Sequence, residues 1–103
     1  MQFNYFFKNI SAEEKNLFDQ YFLRKIPRLT ALAKNFEPAD CEVTVERFTK
    51  KKAYKISLNL KTSFGDFFAS EDDHTIAEAV DFTKDKLAHQ LEKAHDKAKG
   101  IAG

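Results

Sequence analysis

Tyr54-Lys55-Ile56-Ser57-Leu58-Asn59-Leu60-Lys61 alternates apolar and polar side chains without a break. That is the pattern of a strand with one dry and one wet face, because successive side chains of an extended chain point in opposite directions. The preceding stretch, Cys41-Glu42-Val43-Thr44-Val45-Glu46, alternates in the same way. Phe64 to Ser70 supplies a third run, with Phe67 and Ala69 on one phase and Phe64 and Phe68 on the other. The connections, near Thr49–Lys52 and Thr62–Ser63, are short enough for antiparallel hairpins. A sheet that is apolar on one face only must be covered by something, and the flanks of this segment show what covers it.

Toward the N-terminus, Gln2 to Phe7 sets Phe3, Tyr5 and Phe7 on one phase and reads as a further strand. Ser11-Ala12-Glu13-Glu14 is a capping box, in which hydroxyl and carboxylate each satisfy a backbone N–H at a helix start. The helix it opens carries Leu17, Phe18, Tyr21, Phe22, Ile26 and Leu29 at three- and four-residue spacings. Pro27 interrupts the hydrogen bonding, yet the apolar stripe continues through Leu32 to Phe36, giving one bent unit that ends before Pro38. On the other side, Glu71-Asp72-Asp73 places acid where the dipole of a second helix favours it. That helix repeats Ile76, Val80, Thr83, Leu87, Leu91 and Ala94. The expected fold is α+β in the order β-α-β-β-β-α, a four-stranded sheet with two helices packed on one face, as in double-stranded-RNA-binding domains. Residues 1–99 form one domain, and 100–103 a short flexible tail.

The whole chain has 103 residues and a formal net charge of +1. Such neutrality argues against a nucleic-acid partner, whose binders are usually basic. The local distribution argues the other way. Arg47, Lys50, Lys51, Lys52, Lys55 and Lys61 fall in a stretch without a single acid, and Asp66 to Asp81 holds six acids without Lys or Arg. Arg24, Lys25, Arg28 and Lys34 make the second half of the first helix wholly basic. On the second helix, at about 100° per residue, Lys86, His89, Lys93 and Lys97 form one ridge beside the core stripe. If the helices pack side by side, the ridges of both face one solvent side as a track for phosphates. Each cluster alone is what any solvated helix face or hairpin tip carries; together they point to an anionic partner.

The chemistry of an active site is missing. The glycines Gly65, Gly100 and Gly103 make no phosphate loop. His89 and His95, six apart, are poorly placed to share a metal. Asp72 and Asp73 are better explained by helix capping than as an acid–base pair, and Cys41 is a small hydrophobe at the start of a strand. Neither a catalytic residue, a cofactor nor a metal site is expected. No apolar run reaches the ~18–20 residues of a membrane span, and the start of the chain does not read as a signal peptide. A cytoplasmic binding protein is the expectation, without a membrane or small-molecule partner.

Lys86-Leu87-Ala88-His89-Gln90-Leu91-Glu92-Lys93, followed by Asp96-Lys97, resembles the K-L-x-R-Q-L-x-K…D-K segment of the ribosome hibernation factors. That family includes the hibernation-promoting factor, the ribosome-associated inhibitor A and the proteins once called sigma-54 modulation proteins. Ala79-Val80-Asp81 is similar to the end of the family's D-x-Y-A-A-I-D stretch, Val45-Glu46-Arg47-Phe48-Thr49 to its V-E-K-V-T, and Phe67-Phe68-Ala69-Ser70 to its I-H-A-S. The resemblance implies a monomeric, short-form factor that binds the small ribosomal subunit in the mRNA and tRNA channel and blocks translation in stress or stationary phase. Carried over by position, Lys86, Lys93 and Lys97, with Lys25 and Arg28, are its rRNA contacts. His89 stands at the family's Arg position, Arg24 joins the set from charge alone, and Arg47, Lys50, Lys51 and Lys52 are possible additional RNA contacts. Thr75 and Ala77 replace the family's Asp and Tyr, and Thr83, beside Phe82, replaces a core Leu.

Two other readings have sequence support. A sheet carrying two helices can grip A-form RNA by shape, which would make a general double-stranded RNA-binding module. Alternatively Phe6, Phe48, Phe64 and Phe68 lie on the sheet face away from the helices and dock a protein partner.

Overall fold

Ser11 opens the first helix through the capping box its spacing predicts. Its Oγ accepts from the Glu14 N–H at 3.1 Å, and the Glu14 carboxylate accepts from the Ser11 N–H at 2.9 Å. The structure, a computed structural model, describes the backbone of residues 1–102 and the side chains of residues 1–96. In chain order the elements are β1 (Gln2–Lys8), α1 (Ala12–Ala33), a 3-10 turn (Lys34–Phe36), β2 (Ala39–Phe48), β3 (Ala53–Thr62), β4 (Gly65–Asp73) and α2 (Ile76–Ala102). This is the expected β-α-β-β-β-α order. The tail expected over 100–103 lies outside the residues whose side chains are described.

The sheet runs β1-β2-β3-β4, with β1 parallel to β2 and the other neighbours antiparallel. Parallel neighbours cannot be joined by a hairpin, and α1 provides the crossover between them. The register gathers the apolar phases onto one face. Phe3, Cys41, Leu60 and Phe67 form one row, Tyr5, Val43, Leu58 and Ala69 the next, and Phe7, Val45 and Ile56 a third. Phe18 and Phe22 descend from α1 onto this face, stacked on each other at 5.0 Å and meeting Phe7 and Phe3 edge-on at 5.8 and 5.7 Å. Both rings are buried, and truncating either to Ala should cost about 3–5 kcal/mol. From α2, Ile76, Val80, Leu87 and Leu91 complete the core.

Pro27 sits inside α1 without ending it. Its missing N–H leaves the Leu23 carbonyl unpaired within the helix, at an exposed turn where water can serve it. Thr83 is fully buried and satisfied: its hydroxyl donates to Ala79 O at 2.7 Å and lies 3.3 Å from Ile56 O on β3. Neighbouring Phe82, by contrast, stays exposed.

Two expectations need correction. Glu71, Asp72 and Asp73 do not start the second helix; they extend β4 to Asp73, beyond the Phe64–Ser70 run. The ladder sets Asp72 opposite Lys55, and an opposite-charge cross-strand pair favours the longer strand. Thr75, not either aspartate, caps α2, its Oγ1 accepting from the Glu78 N–H at 3.1 Å, while Asp73 accepts from the His74 N–H at 2.7 Å. Secondly, the phenylalanines do not make one outer patch. Phe64 lies in the β3–β4 turn with its ring 5.9 Å from the buried Phe36. Phe6 and Phe68 do face outward, but on opposite edge strands, separated by Thr44 and Ser57 in one row and Glu42 and Asn59 in the other. Among the described residues, no helix is long and apolar enough to cross a membrane.

Candidate nucleic-acid interface

The heptad-like spacing that buries Val80, Leu87 and Leu91 also fixes what α2 shows on its two flanks. At about 100° per residue, Lys86 and Lys93 fall to one side of the core stripe, and Asp81 and Glu92 to the other. The contacts identify each side. Lys86 pairs with Glu71 on β4, and Gln90 Nε2 donates to Phe68 O on the same strand at 2.7 Å. This flank therefore overhangs the open edge of the sheet. Asp81 and Glu92 face α1, where Lys25 Nζ reaches Asp81 at 2.9 Å and an Arg28 guanidinium nitrogen reaches Glu92 at 2.7 Å.

The predicted cations thus divide into two groups that the helices do not merge. Lys86, His89 and Lys93 stand exposed along the outer flank of α2. Arg24, Lys25 and Arg28 belong to α1, and the acids Asp81, Asp85 and Glu92 of α2 lie toward them. Lys97 lies outside the residues whose side chains are described. Arg24 and Lys93 have no ion-pair partner among the described residues, whereas Lys25, Arg28 and Lys86 each have one. His89 shares a shallow cleft with Glu71, Asp73, Phe82, Asp85 and Lys86. The hydrogen bond from Lys25, with its charge and that of Lys84, holds the Asp81 carboxyl below its ordinary range. The hydrogen bond and charge of Glu92, reinforced by Asp85, raise the affinity of Arg28 for its proton.

The hairpin cations occupy a third place. Lys50, Lys51 and Lys52 are exposed at the β2–β3 tip, with Lys51 Nζ 5.9 Å from the Phe48 ring centre. Arg47 leans toward Glu14 of α1 at 3.9 Å. The carboxylate that receives it also accepts from Tyr54 Oη at 2.5 Å. Cys41 is buried in the core, and burial, aided by the charge of Glu42, pushes its thiol up to about 12, which leaves it inert as a nucleophile.

The acidic partners Glu71, Asp81 and Glu92 are what reading the cations alone overlooks. The signal was available in part: Asp81 and Glu92 sit about 120° from Lys86 and Lys93 around α2, so the helix was bound to show acid to one neighbour. Glu71 gave no such signal, because its position depends on how far β4 extends.

Comparison with known proteins gives one family. The family model described as sigma 54 modulation protein / S30EA ribosomal protein matches residues 4–99. No curated protein matches the chain. Among solved structures, the chain is similar to a ribosomal subunit interface protein from Coxiella burnetii, at 16% identity and a TM-score of 0.63, covering 93% of this chain and 99% of that one. It is also similar to the N-terminal domain of Protein Y from Thermus thermophilus, at 14% identity and a TM-score of 0.63, covering 90% of this chain and 98% of that one. At these identities the two structures speak for the fold.

Proposed function

This chain belongs to the sigma 54 modulation protein / S30EA ribosomal protein family, and on that premise we propose that it is a ribosome hibernation factor. It binds the small ribosomal subunit in the mRNA and tRNA channel, through rRNA phosphates, and blocks translation under stress or in stationary phase. It acts in the cytoplasm as a binding protein rather than an enzyme.

The observation that carries the RNA contact is the outer flank of α2, where Lys86, His89 and Lys93 are exposed in line along one helix. Successive cations on a rigid rod suit a phosphate backbone, which is read by spacing and shape rather than by base sequence. By sequence, Lys97 continues the line. Lys25 and Arg28 serve the same role from α1. Their ion pairs do not prevent it, since exposed pairs are worth only about 0–1 kcal/mol and a phosphate offers Arg28 a stronger two-pronged acceptor than Glu92. His89 in place of Arg removes a permanent charge and a fork, so this ridge is weaker at neutral pH than one carrying Arg. The polar rows separating Phe6 from Phe68 leave the protein-docking alternative without a continuous patch.

The test is co-sedimentation with purified small subunits at physiological salt. Arg28→Glu combined with Lys93→Glu should abolish binding while the variant still melts cooperatively. Unchanged co-sedimentation would remove these residues from the interface. Equal binding of the native chain to any short RNA duplex, without preference for the ribosome, would make it a general double-stranded RNA-binding module.

A further inference from the structure

Three of the cations assigned to RNA are held by the protein's own carboxylates, and each pair joins different elements. Lys25 on α1 meets Asp81 on α2 at 2.9 Å, Arg28 on α1 meets Glu92 on α2 at 2.7 Å, and Lys86 on α2 meets Glu71 on β4. None of the three is a buried structural pair. The side chains of Arg28 and Lys86 are each 56% exposed, Lys25 is 36% exposed, and their acidic partners range from 28 to 47%. Pairs this wet contribute little to folding. They do change what a phosphate meets.

We propose that Glu71, Asp81 and Glu92 are specificity-determining residues that compete with RNA phosphates for the binding cations, so that only RNA engaging the whole set at once is bound well. The inference rests on the proposed ribosome-binding role and adds what rejects other RNA. A phosphate approaching Arg28 must displace Glu92, and the displaced carboxylate then remains beside it. Two unit charges about 6 Å apart in water repel enough to weaken binding roughly threefold, and more near the low-dielectric protein surface. An irregular or mismatched RNA that reaches one cation gains one phosphate contact and incurs one such repulsion, ending close to zero. An RNA surface that satisfies the cations together, with Arg24 and Lys93, which have no ion-pair partner among the described residues, keeps a net gain. Specificity arises here from a penalty on wrong partners as much as from contacts to the right one. It also reconciles a basic interface with a chain whose net charge is only +1.

The alternative role for the same pairs is preorganisation, in which the acids hold the cations in position for RNA. The two roles predict opposite signs. The experiment compares Glu71→Gln, Asp81→Asn and Glu92→Gln, singly and together, with the native chain and with Asp40→Asn. Asp40 is exposed on the outer sheet face opposite Lys61, and among the described residues it makes no ion pair with Lys25, Arg28 or Lys86, so it controls for the loss of one acid outside the three pairs. Binding is measured to a random-sequence RNA duplex and to small subunits, with thermal melts to monitor folding. Competition predicts that each neutralisation tightens duplex binding about three- to tenfold, that the triple variant tightens it further, and that the preference for the subunit over the duplex falls. Asp40→Asn should change duplex binding less than any of the three. Unchanged or weakened duplex binding by the folded triple variant overturns the inference, as does an equal gain from Asp40→Asn. Failure of the native chain to bind small subunits would instead remove the hibernation reading, and is seen in a separate lane of the same experiment.

Discussion

Glu14 serves Ser11, Tyr54 and Arg47 with one carboxylate. The hydrogen bond from Tyr54 holds its acid below the ordinary value of 4.5, helped by those from Ser11 and by the charge of Arg47. A depressed folded value means that the native state binds its proton less readily than the unfolded chain. The stability it contributes is therefore complete above about pH 4.5 and is lost as pH falls through the lower folded value. Asp81, lowered mainly by Lys25, acts in the same direction. Urea midpoints between pH 2 and 7 should fall on acidification, and Glu14→Gln should be less stable at neutral pH but flatter below 4.5, the two curves drawing together. Parallel curves would show that Glu14 is not one of the titrating groups. Ser11–Glu14 was legible because it is local, three residues within one helical turn. Tyr54 and Arg47 reach Glu14 only through the β2–β3 register and the way α1 lies on the sheet, which neither side chain announces in its own sequence neighbourhood.

Among elements, the alternating strands were legible and their ends were not. Period-two alternation fixes which face of β3 is dry, but where β4 stops depends on the strand beside it: Asp72 and Asp73 remain extended opposite Lys55 and Tyr54. Acid before an apolar helix reads as a cap when the neighbour is unknown, and this masks the role of Thr75. The other end of the same strand rests on backbone conformation. Gly65 closes the two-residue Ser63-Phe64 turn at φ +130°, with Thr62 Oγ1 taking the Phe64 N–H at 3.1 Å and donating to Gly65 O at 2.6 Å. A Cβ built on Gly65 meets nothing within 4 Å. Any cost of Gly65→Ala is then conformational rather than steric crowding, about 1–3 kcal/mol. At roughly 4–8 °C per kcal/mol for a domain of this size, a thermal melt resolves it. An unchanged Tm would mean that the turn relaxes to another conformation with little cost.

For the whole molecule, what matters is how opposed charges are distributed over one fold. The fold class and the basic ridge of α2 could be read from periodicity, because the sequence orders residues along a helix. That Asp81 and Glu92 would neutralise α1 required knowing that the two helices lie side by side, a fact of tertiary packing. The consequence is measurable in salt. For a surface made only of cations, log K falls steeply with log salt concentration, because each neutralised phosphate releases a counterion. Here salt weakens the attraction of Lys25, Arg28 and Lys86 for phosphate and also weakens the repulsion from Asp81, Glu92 and Glu71. The two effects oppose each other within a few ångströms, well inside the ~8–10 Å screening length of physiological buffer. The native chain should therefore show a shallower salt slope than its number of phosphate contacts implies. The triple neutral variant should show a steeper slope, and its advantage over the native chain should be greatest at low salt and shrink as salt rises. Lys93→Gln, which removes a cation with no acidic partner among the described residues, should flatten the slope by nearly one full contact. Arg28→Gln, which leaves the Glu92 carboxylate without its partner, should weaken binding at low salt and flatten the slope as well, and Lys25→Gln, which leaves Asp81 only Lys84 at 3.8 Å, should act in the same direction. Titration of RNA binding between about 50 and 300 mM salt orders these slopes. Identical slopes for the native and triple-neutral chains would mean that the carboxylates move out of range when RNA binds.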